Sequence, residues 1–453
     1  MRMKENKKLS LFDITMIVIG LVIGMGIFRT AKDAAASSSS PAYYFGVWIL
    51  GGLIALCGAL TYAEIGSRYP ITGGYYKIFA VCYHPSLAFA INCIILISNA
   101  ASLSGVALIG SEYIAPLIFK DPSALNESVI AITAIILFYG VNLMGLRMSS
   151  KTQNVLMIIK MSMILVLIAA LFFPHLYNTN TEALASTNDI TSTGNLLMFG
   201  VALKAASFTY GGYQQTINFG EEVHNPQKTL PRGIIAGIFI IIALYLSVNY
   251  SYYKIIGFNE LKNTKGIAAI VAEKMFGESG KYGFSILLFL AVLAYVNVLL
   301  LSNPRVMYAM SLDGILPKAF KKKDEKRDVL TTSLTVFAGI CVIVLFFADR
   351  FDQILSFTIF LDSIGMATSA GAIFILRKRT KHLDNTGIYK MKLYPLLPIL
   401  FILAYIFVGT VIAITNPEYA ITGLSVLAVF IVMYFIFHKK SDQDFNQQDV
   451  LKG

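Results

Sequence analysis

Charge is what this sequence has least of. Only 14% of its 453 residues are Asp, Glu, Lys or Arg, and 56% are hydrophobic. Soluble domains carry roughly 25% charged residues, so this chain lacks the charge to clothe a water-facing surface. That excludes a soluble enzyme or binding module. Cysteine is scarce as well: Cys57, Cys82, Cys93 and Cys341 are scattered without a CxxC spacing, which indicates neither a disulfide framework nor a thiolate metal site. The five histidines (His84, His175, His224, His382 and His438) fall in loops or at the ends of apolar stretches. A haem or zinc centre inside a membrane would therefore find no ligands. The sequence also offers no convergent acid–base or nucleophile set, and no glycine-rich phosphate loop followed by Lys and Ser or Thr. Neither catalysis, a metal nor a cofactor is expected.

What the sequence has is apolar length. Stretches of about 20 residues, the length a helix needs to cross the hydrocarbon core, follow one another along the chain. They predict an all-α membrane protein with about twelve transmembrane helices. The spans run Leu11–Ala36, Tyr43–Gly66, Leu87–Tyr113, Val129–Leu146, Val155–Phe173 and Leu196–Phe219, then Gly233–Tyr253, Phe284–Leu312, Thr332–Phe347, Ile354–Leu376, Leu393–Ile414 and Ala420–Phe437. MRMKENKKLS leads into a segment too long for a signal peptide and without a cleavage pattern. Lys and Arg concentrate at the N-terminus, in alternate loops and in clusters at 318–327 and 377–392, which puts both termini in the cytoplasm. These basic clusters flank spans without aromatic interleaving, so they speak for topology in a lipid bilayer and against nucleic acid.

Two of the apolar stretches contain an oddity. Val18–Thr30 (VIGLVIGMGIFRT) carries Gly20, Gly24 and Gly26, and Phe208–Gln214 reads FTYGGYQ. Glycine weakens a spanning helix unless the backbone itself is wanted. Paired glycine-interrupted spans point to a transporter's midplane binding site. An unwound helix presents amide N–H groups at the start of one half and carbonyls at the end of the other, which attract a carboxylate and an ammonium respectively. Two such breaks side by side suit a zwitterionic α-amino acid. The amides of Gly24, Met25 and Gly26 are the expected carboxylate partners; the carbonyls of Ile23, Phe208, Thr209 and Gly211 are the expected amine partners. Gly20-xxx-Gly24 by itself fits close helix packing equally well. One break in each half predicts a five-plus-five inverted repeat. On that reading residues 1–10 are a cytoplasmic tail, 11–376 the ten-span transport core, 377–392 a cytoplasmic basic loop, 393–438 two accessory spans and 439–453 a second tail.

Four ordered motifs carry a family resemblance. GLVIGMGIF, YAEIGSRYPITGGYYKIF (Tyr62–Phe79), FTYGGYQQTINFGEEVHNPQKTLPRG (Phe208–Gly233) and NPRVMYAMSLDGILPKAF (Asn303–Phe320) resemble the signatures of the amino acid–polyamine–organocation (APC) superfamily. NFGEEVHNPQKTLP is most similar to its L-type amino acid transporter branch. The resemblance implies an amino acid held between the first and sixth spans, with Phe208 as an outer gate. It also matches Lys160 to a fifth-span lysine near the place that sodium takes in sodium-coupled relatives. Lys160 is then a coupling residue and transport is sodium-independent; the alternative is a lysine snorkelling to the interface, roughly 13 Å from Lys151.

Glu64 and Arg68 are four apart, as a helix-face pair, with Glu64 an anchor for an inner gate. Asp13 serves the start of the first span. Lys204 and Arg29 have no counterpart in the resembled branch. Ser104, Tyr213, Asn297 and Ser302 are the specificity candidates. No acidic residue lies beside either break in the sequence, so a neutral amino acid is the expected substrate. The expected function is sodium-independent exchange of neutral L-amino acids by alternating access in the plasma membrane; proton-coupled symport and a non-transporting amino acid sensor are the alternatives. Human relatives of the resembled branch use a disulfide-linked partner. With no cysteine clearly in an outer loop, no obligatory protein partner is expected.

Overall fold

The computed structural model describes residues 8–24, 26–177, 193–264, 266–346, 351–381 and 387–438. The elements among them are helices, joined by short turns and isolated bridges. The first span is two helices, α1 (Leu11–Val22) and α2 (Gly26–Ala36); α3 (Pro41–Arg68), α4 (Gly74–Cys82), α5 (Pro85–Ile118), α6 (Ala124–Leu143) and α7 (Leu146–Ala169) follow. Then come α8 (Thr193–Tyr210), α9 (Pro226–Ile256), the short α10 (Phe258–Leu261), α11 (Ile267–Leu312), α12 (Thr331–Leu345), α13 (Phe351–Arg379), α14 (Leu396–Thr415) and α15 (Pro417–His438). Nine helices of the described residues are long and apolar enough to cross a bilayer, and α1 and α12 are shorter apolar helices. Their outward faces keep Leu125, Ile136, Leu165, Leu403 and Ile436 more than half exposed, the surface expected where lipid rather than water is the solvent.

Helix starts follow local chemistry. Ser10 and Asp13 form a capping box at α1, with Ser10 N donating to Asp13 Oδ2 at 2.9 Å and Asp13 N to Ser10 Oγ at 3.2 Å. Asp13 thus serves the helix start as expected, and it also accepts from Asn154 Nδ2 of α7 at 2.7 Å. Ser40 caps α3 ahead of Pro41, a favoured pairing at a helix start.

Two elements exceed the sequence reading. The loop after the second span folds as α4, preceded by its N-cap Gly73 with φ +67; a Cβ there would sit 2.7 Å from Arg305 O. The loop before the eighth span is helical from Ile267, and Gly277 (φ 70) kinks it into the span proper. Charges in this stretch hid its apolar face, from which Val271 and Ala272 enter the core.

The packing has the symmetry that two breaks imply. α3 lies on α9, α5 on α11 and α6 on α12, each the matching span of the other half. α1 packs on α9 as α8 packs on α3, α5 on α12 as α11 on α6, and α7 on α11 as α13 on α5. Exchanging the first five spans for the second five reproduces these pairings. Each half has an odd number of spans, so the halves run in opposite senses.

Candidate substrate site

The site is built where the two breaks touch. α1 ends at Val22, and the chain turns through Ile23 and Gly24, whose N–H groups bond to Ile19 O and Val22 O, both at 2.8 Å. α8 ends at Tyr210; after Gly211 and Gly212 the chain continues as a 3₁₀ helix, Tyr213–Asn218. Gly212 has φ +115, and a Cβ on it would lie 2.2 Å from the carbonyl oxygen of Leu21. Only glycine meets both requirements. Gly26 lies against Thr209 in the same way, with 3.0 Å from an added Cβ to Oγ1. Thr30 Oγ1 and Thr209 Oγ1 share a hydrogen bond of 2.6 Å. Tyr245 of α9 lies under both breaks, its hydroxyl 3.2 Å from Thr209 O and 3.3 Å from Val22 O.

A cavity of about 60 Å³ lies beside this junction, lined on one side by Gly24, Gly26, Phe208, Thr209 and Gly211. At roughly 30 Å³ per liquid water it is small, so the protein is drawn closely around it. Its polar wall comes from elsewhere: Asn99 and Ser102 of α5, Gln215, Tyr295 of α11 and Asp362 of α13.

Lys160 is wholly buried, and its ammonium donates to the carbonyl of Ile23 at the first break. It does not snorkel. Gly20, the ambiguous glycine, is a packing residue: a Cβ there would lie 2.1 Å from Gln153 Nε2 of α7.

Of the residues expected to bind substrate, Gly24, Gly26, Phe208, Thr209 and Gly211 come together at the cavity, whereas Ile23 lies outside its lining. Three of the four carbonyls named as amine partners already accept protein hydrogen bonds: Ile23 from Lys160, Phe208 from Gly211 N, and Thr209 from Tyr245. Met25 and the Arg29 side chain lie outside the described residues, and Lys204 is half-buried on α8.

The four specificity candidates are placed away from the cavity. Ser104 Oγ donates to Ala100 O and Cys341 O. Asn297 binds Asn142, Ser149 and Gln153. Ser302 Oγ accepts from Asn218 Nδ2, and Tyr213 packs on Tyr62. Polar side chains inside a membrane protein serve helix contacts as readily as cavities, and periodicity cannot separate the two.

Asp362 corrects a premise. No acidic neighbour of either break exists in sequence, but α13 carries this carboxylate into the cavity wall. It is an intramembrane acid in IFLDSIGMATS, and charge inside a span is by default a sign of function. The argument for a neutral substrate therefore loses its basis. Gln215, Asn99 and Tyr245 were missed too, and as uncharged residues in apolar spans they gave no signal.

The end of the bundle near the α1 N-terminus is closed by ion pairs. Glu64, wholly buried, accepts from Arg68 Nε at 2.8 Å, Arg377 Nε and Nη2 at 2.8 and 2.6 Å, and Met391 N at 2.9 Å. The Glu64–Arg68 helix pair is present, with a third partner from α13. Arg305 Nε reaches Glu222 at 2.8 Å. Burial raises the Glu222 carboxyl above its ordinary range, and Arg305 opposes that shift. Lys77 pairs with Asp313.

A helical bundle whose two discontinuous helices meet at a polar cavity is the architecture of a secondary transporter. The chain belongs to the amino acid permease family, within the APC superfamily, matching the family pattern over residues 9–437. It is an amino acid transporter and not an enzyme. The serine/threonine exchanger SteT of Bacillus subtilis (strain 168) is 30% identical over 425 residues, covering 93% of this chain and 94% of that protein. The methylthioribose transporter of the same organism is 28% identical over 463 residues, covering 96% and 94%. Asc-type amino acid transporter 1 of Mus musculus is 24% identical over 443 residues, covering 96% and 82%. The substrates in these names differ widely, so this chain's substrate has to be argued from its own cavity.

Proposed function

We propose that this protein exchanges L-amino acids across the plasma membrane without sodium, by alternating access. The observation that carries the reading is the ammonium of Lys160 on the Ile23 carbonyl, beside a cavity bounded by both breaks. In this proposal the fixed ammonium at the break takes the place of a transported cation. The printed name of one relative, a serine/threonine exchanger, agrees with exchange.

In this proposal the start of α2 at Gly26 orients the substrate carboxylate, and Gly211 takes part in holding the amine. Phe208, which lines the cavity, is the outer gate. The moving unit is α1, α2, α3, α8 and α9, whose members pack on one another; α5, α6, α11 and α12 form the scaffold. Contacts across the divide include polar ones that can break and re-form, such as Arg305 with Glu222 and Gln215 with Asn99. Both termini are cytoplasmic, in line with the basic clusters at 318–327 and 377–392. The chain works without a disulfide-linked partner, since its four cysteines lie within helices α3, α4, α5 and α12.

The test uses purified protein in liposomes and a mixed panel of labelled amino acids. Uptake that requires internal amino acid and ignores sodium and proton gradients supports exchange. Uptake into empty liposomes driven by a proton gradient replaces it with symport.

A further inference from the structure

We propose that Asp362 and Gln215 form a side-chain subsite for an ammonium group, so that the preferred substrates are α-amino acids whose side chain ends in a primary amine. The inference rests on the transport reading above and names the substrate class of the same cavity.

Charge is the first argument. Asp362 lines the cavity, and among the described residues its one hydrogen bond comes from Ser98 Oγ to Oδ1 at 3.1 Å. Among the described residues no Lys, Arg or His forms an ion pair with it. Lys160, wholly buried beside the first break, is directed to Ile23. A carboxylate taken out of water without a counter-charge is strongly unfavourable, and a cation arriving with the ligand relieves that penalty.

The second argument comes from amide orientation and is independent of charge. Asn303 Nδ2 donates to Leu299 O at 2.9 Å, and a backbone carbonyl only accepts. That fixes Asn303 with Oδ1 toward Asn99, whose Nδ2 donates to it at 2.6 Å. Asn99 Oδ1 in turn accepts from Gln215 Nε2 at 3.0 Å. The relay leaves Gln215 Oε1 as its free end, buried and without a donor in a residue that lines the cavity. A buried acceptor with no partner is unfavourable unless a ligand supplies one.

The cavity therefore has a carboxylate in its wall and, within the lining residue Gln215, a buried amide oxygen without a donor. Ser98 takes one of the roughly four lone-pair sites of the Asp362 carboxylate and leaves the others for a cationic donor. A compact ammonium with three rotatable donors fits what remains. The α-carboxylate and α-amine stay with the helix breaks.

Counterflow in liposomes containing the full-length protein tests this with L-lysine and L-norleucine, which share an aliphatic chain but differ in the terminal amine. Wild type is expected to prefer L-lysine by at least about tenfold, ~1.4 kcal/mol. Asp362→Asn should level that preference by bringing the L-lysine rate down to that of L-norleucine, and Asp362→Glu should retain it. Gln215→Met should lower the preference in part. As a second readout, L-lysine should raise the melting temperature of wild type more than L-norleucine does, and this difference should vanish in Asp362→Asn. Equal treatment of the two probes by wild type, a preference for L-norleucine, or an unchanged lysine preference in Asp362→Asn would each overturn the subsite while leaving exchange intact. No counterflow of any amino acid in the mixed panel overturns the exchange reading itself.

Discussion

The ammonium of Lys160 donates to the carbonyl of Ile23, joining the fifth span to the break in the first. A buried cation contributes little net stability, because desolvation offsets what its partner returns. Replacing it should therefore separate function from folding. Lys160→Ala is expected to slow exchange at least about tenfold, while the melting temperature of the detergent-solubilised protein stays level or rises. If exchange and melting temperature fell together, Lys160 would be a structural residue. If the rate were unchanged, it would have no part in coupling.

Gly212 gives a sharper test of whether the breaks must touch. With φ +115 and Leu21 O in the space a Cβ would take, Gly212→Ala forces the two backbones apart. The variant should insert and fold yet lose counterflow, since the cavity walls separate. Gly20→Ala meets side-chain ends, Gln153 and Met157, and no backbone, and should keep a substantial share of wild-type exchange. Equal losses in the two variants would show that glycine acts at both sites through packing alone.

The breaks were legible because glycine inside an apolar span has few other uses, and Lys160 because charge there is rare. Asp362 was equally legible and went unread, its residue being more than a hundred positions from either break in sequence. Side-chain direction was not readable. In a helix apolar all round, no polar face marks which way Ser104 or Asn297 points, and both turned out to join helices to one another. The same blindness hid Gln215 and Tyr245, whose roles exist only once α5, α8 and α9 are assembled. The partnership of Glu64 with Arg377 spans 313 positions; its local half, Arg68, was the only part that spacing could give.

That partnership predicts a conditional gate. Arg377→Met leaves Glu64 buried with Arg68 and the Met391 amide but without its two-point partner. Removing one member of a buried pair typically destabilises by about 3–5 kcal/mol. The expected result is a lower melting temperature and faster leak of substrate from loaded liposomes, since the ion-paired end opens more readily. Glu64→Gln should do the same, and the double variant should be less impaired than the sum of the two. Additive effects would mean that the residues act separately.

Tyr245 offers a direct probe of communication between the breaks. Its hydroxyl reaches both Val22 O and Thr209 O, so a single group senses the separation of the first and sixth spans. Its ring lies 6.1 Å from that of Trp48, the one tryptophan of the sequence, which is itself wholly buried. Tyr245→Phe keeps the ring and removes only the hydroxyl; its single proton, shared between two carbonyls, is worth about 0.5–1.5 kcal/mol and sets an upper limit on the loss. Exchange should fall about three- to tenfold with apparent affinity weakened, because the empty site is less well organised. In wild type, substrate addition should change Trp48 fluorescence as the junction tightens, and the change should shrink in Tyr245→Phe. An unaltered fluorescence response together with unaltered affinity would show that the breaks hold their relative positions without this bridge.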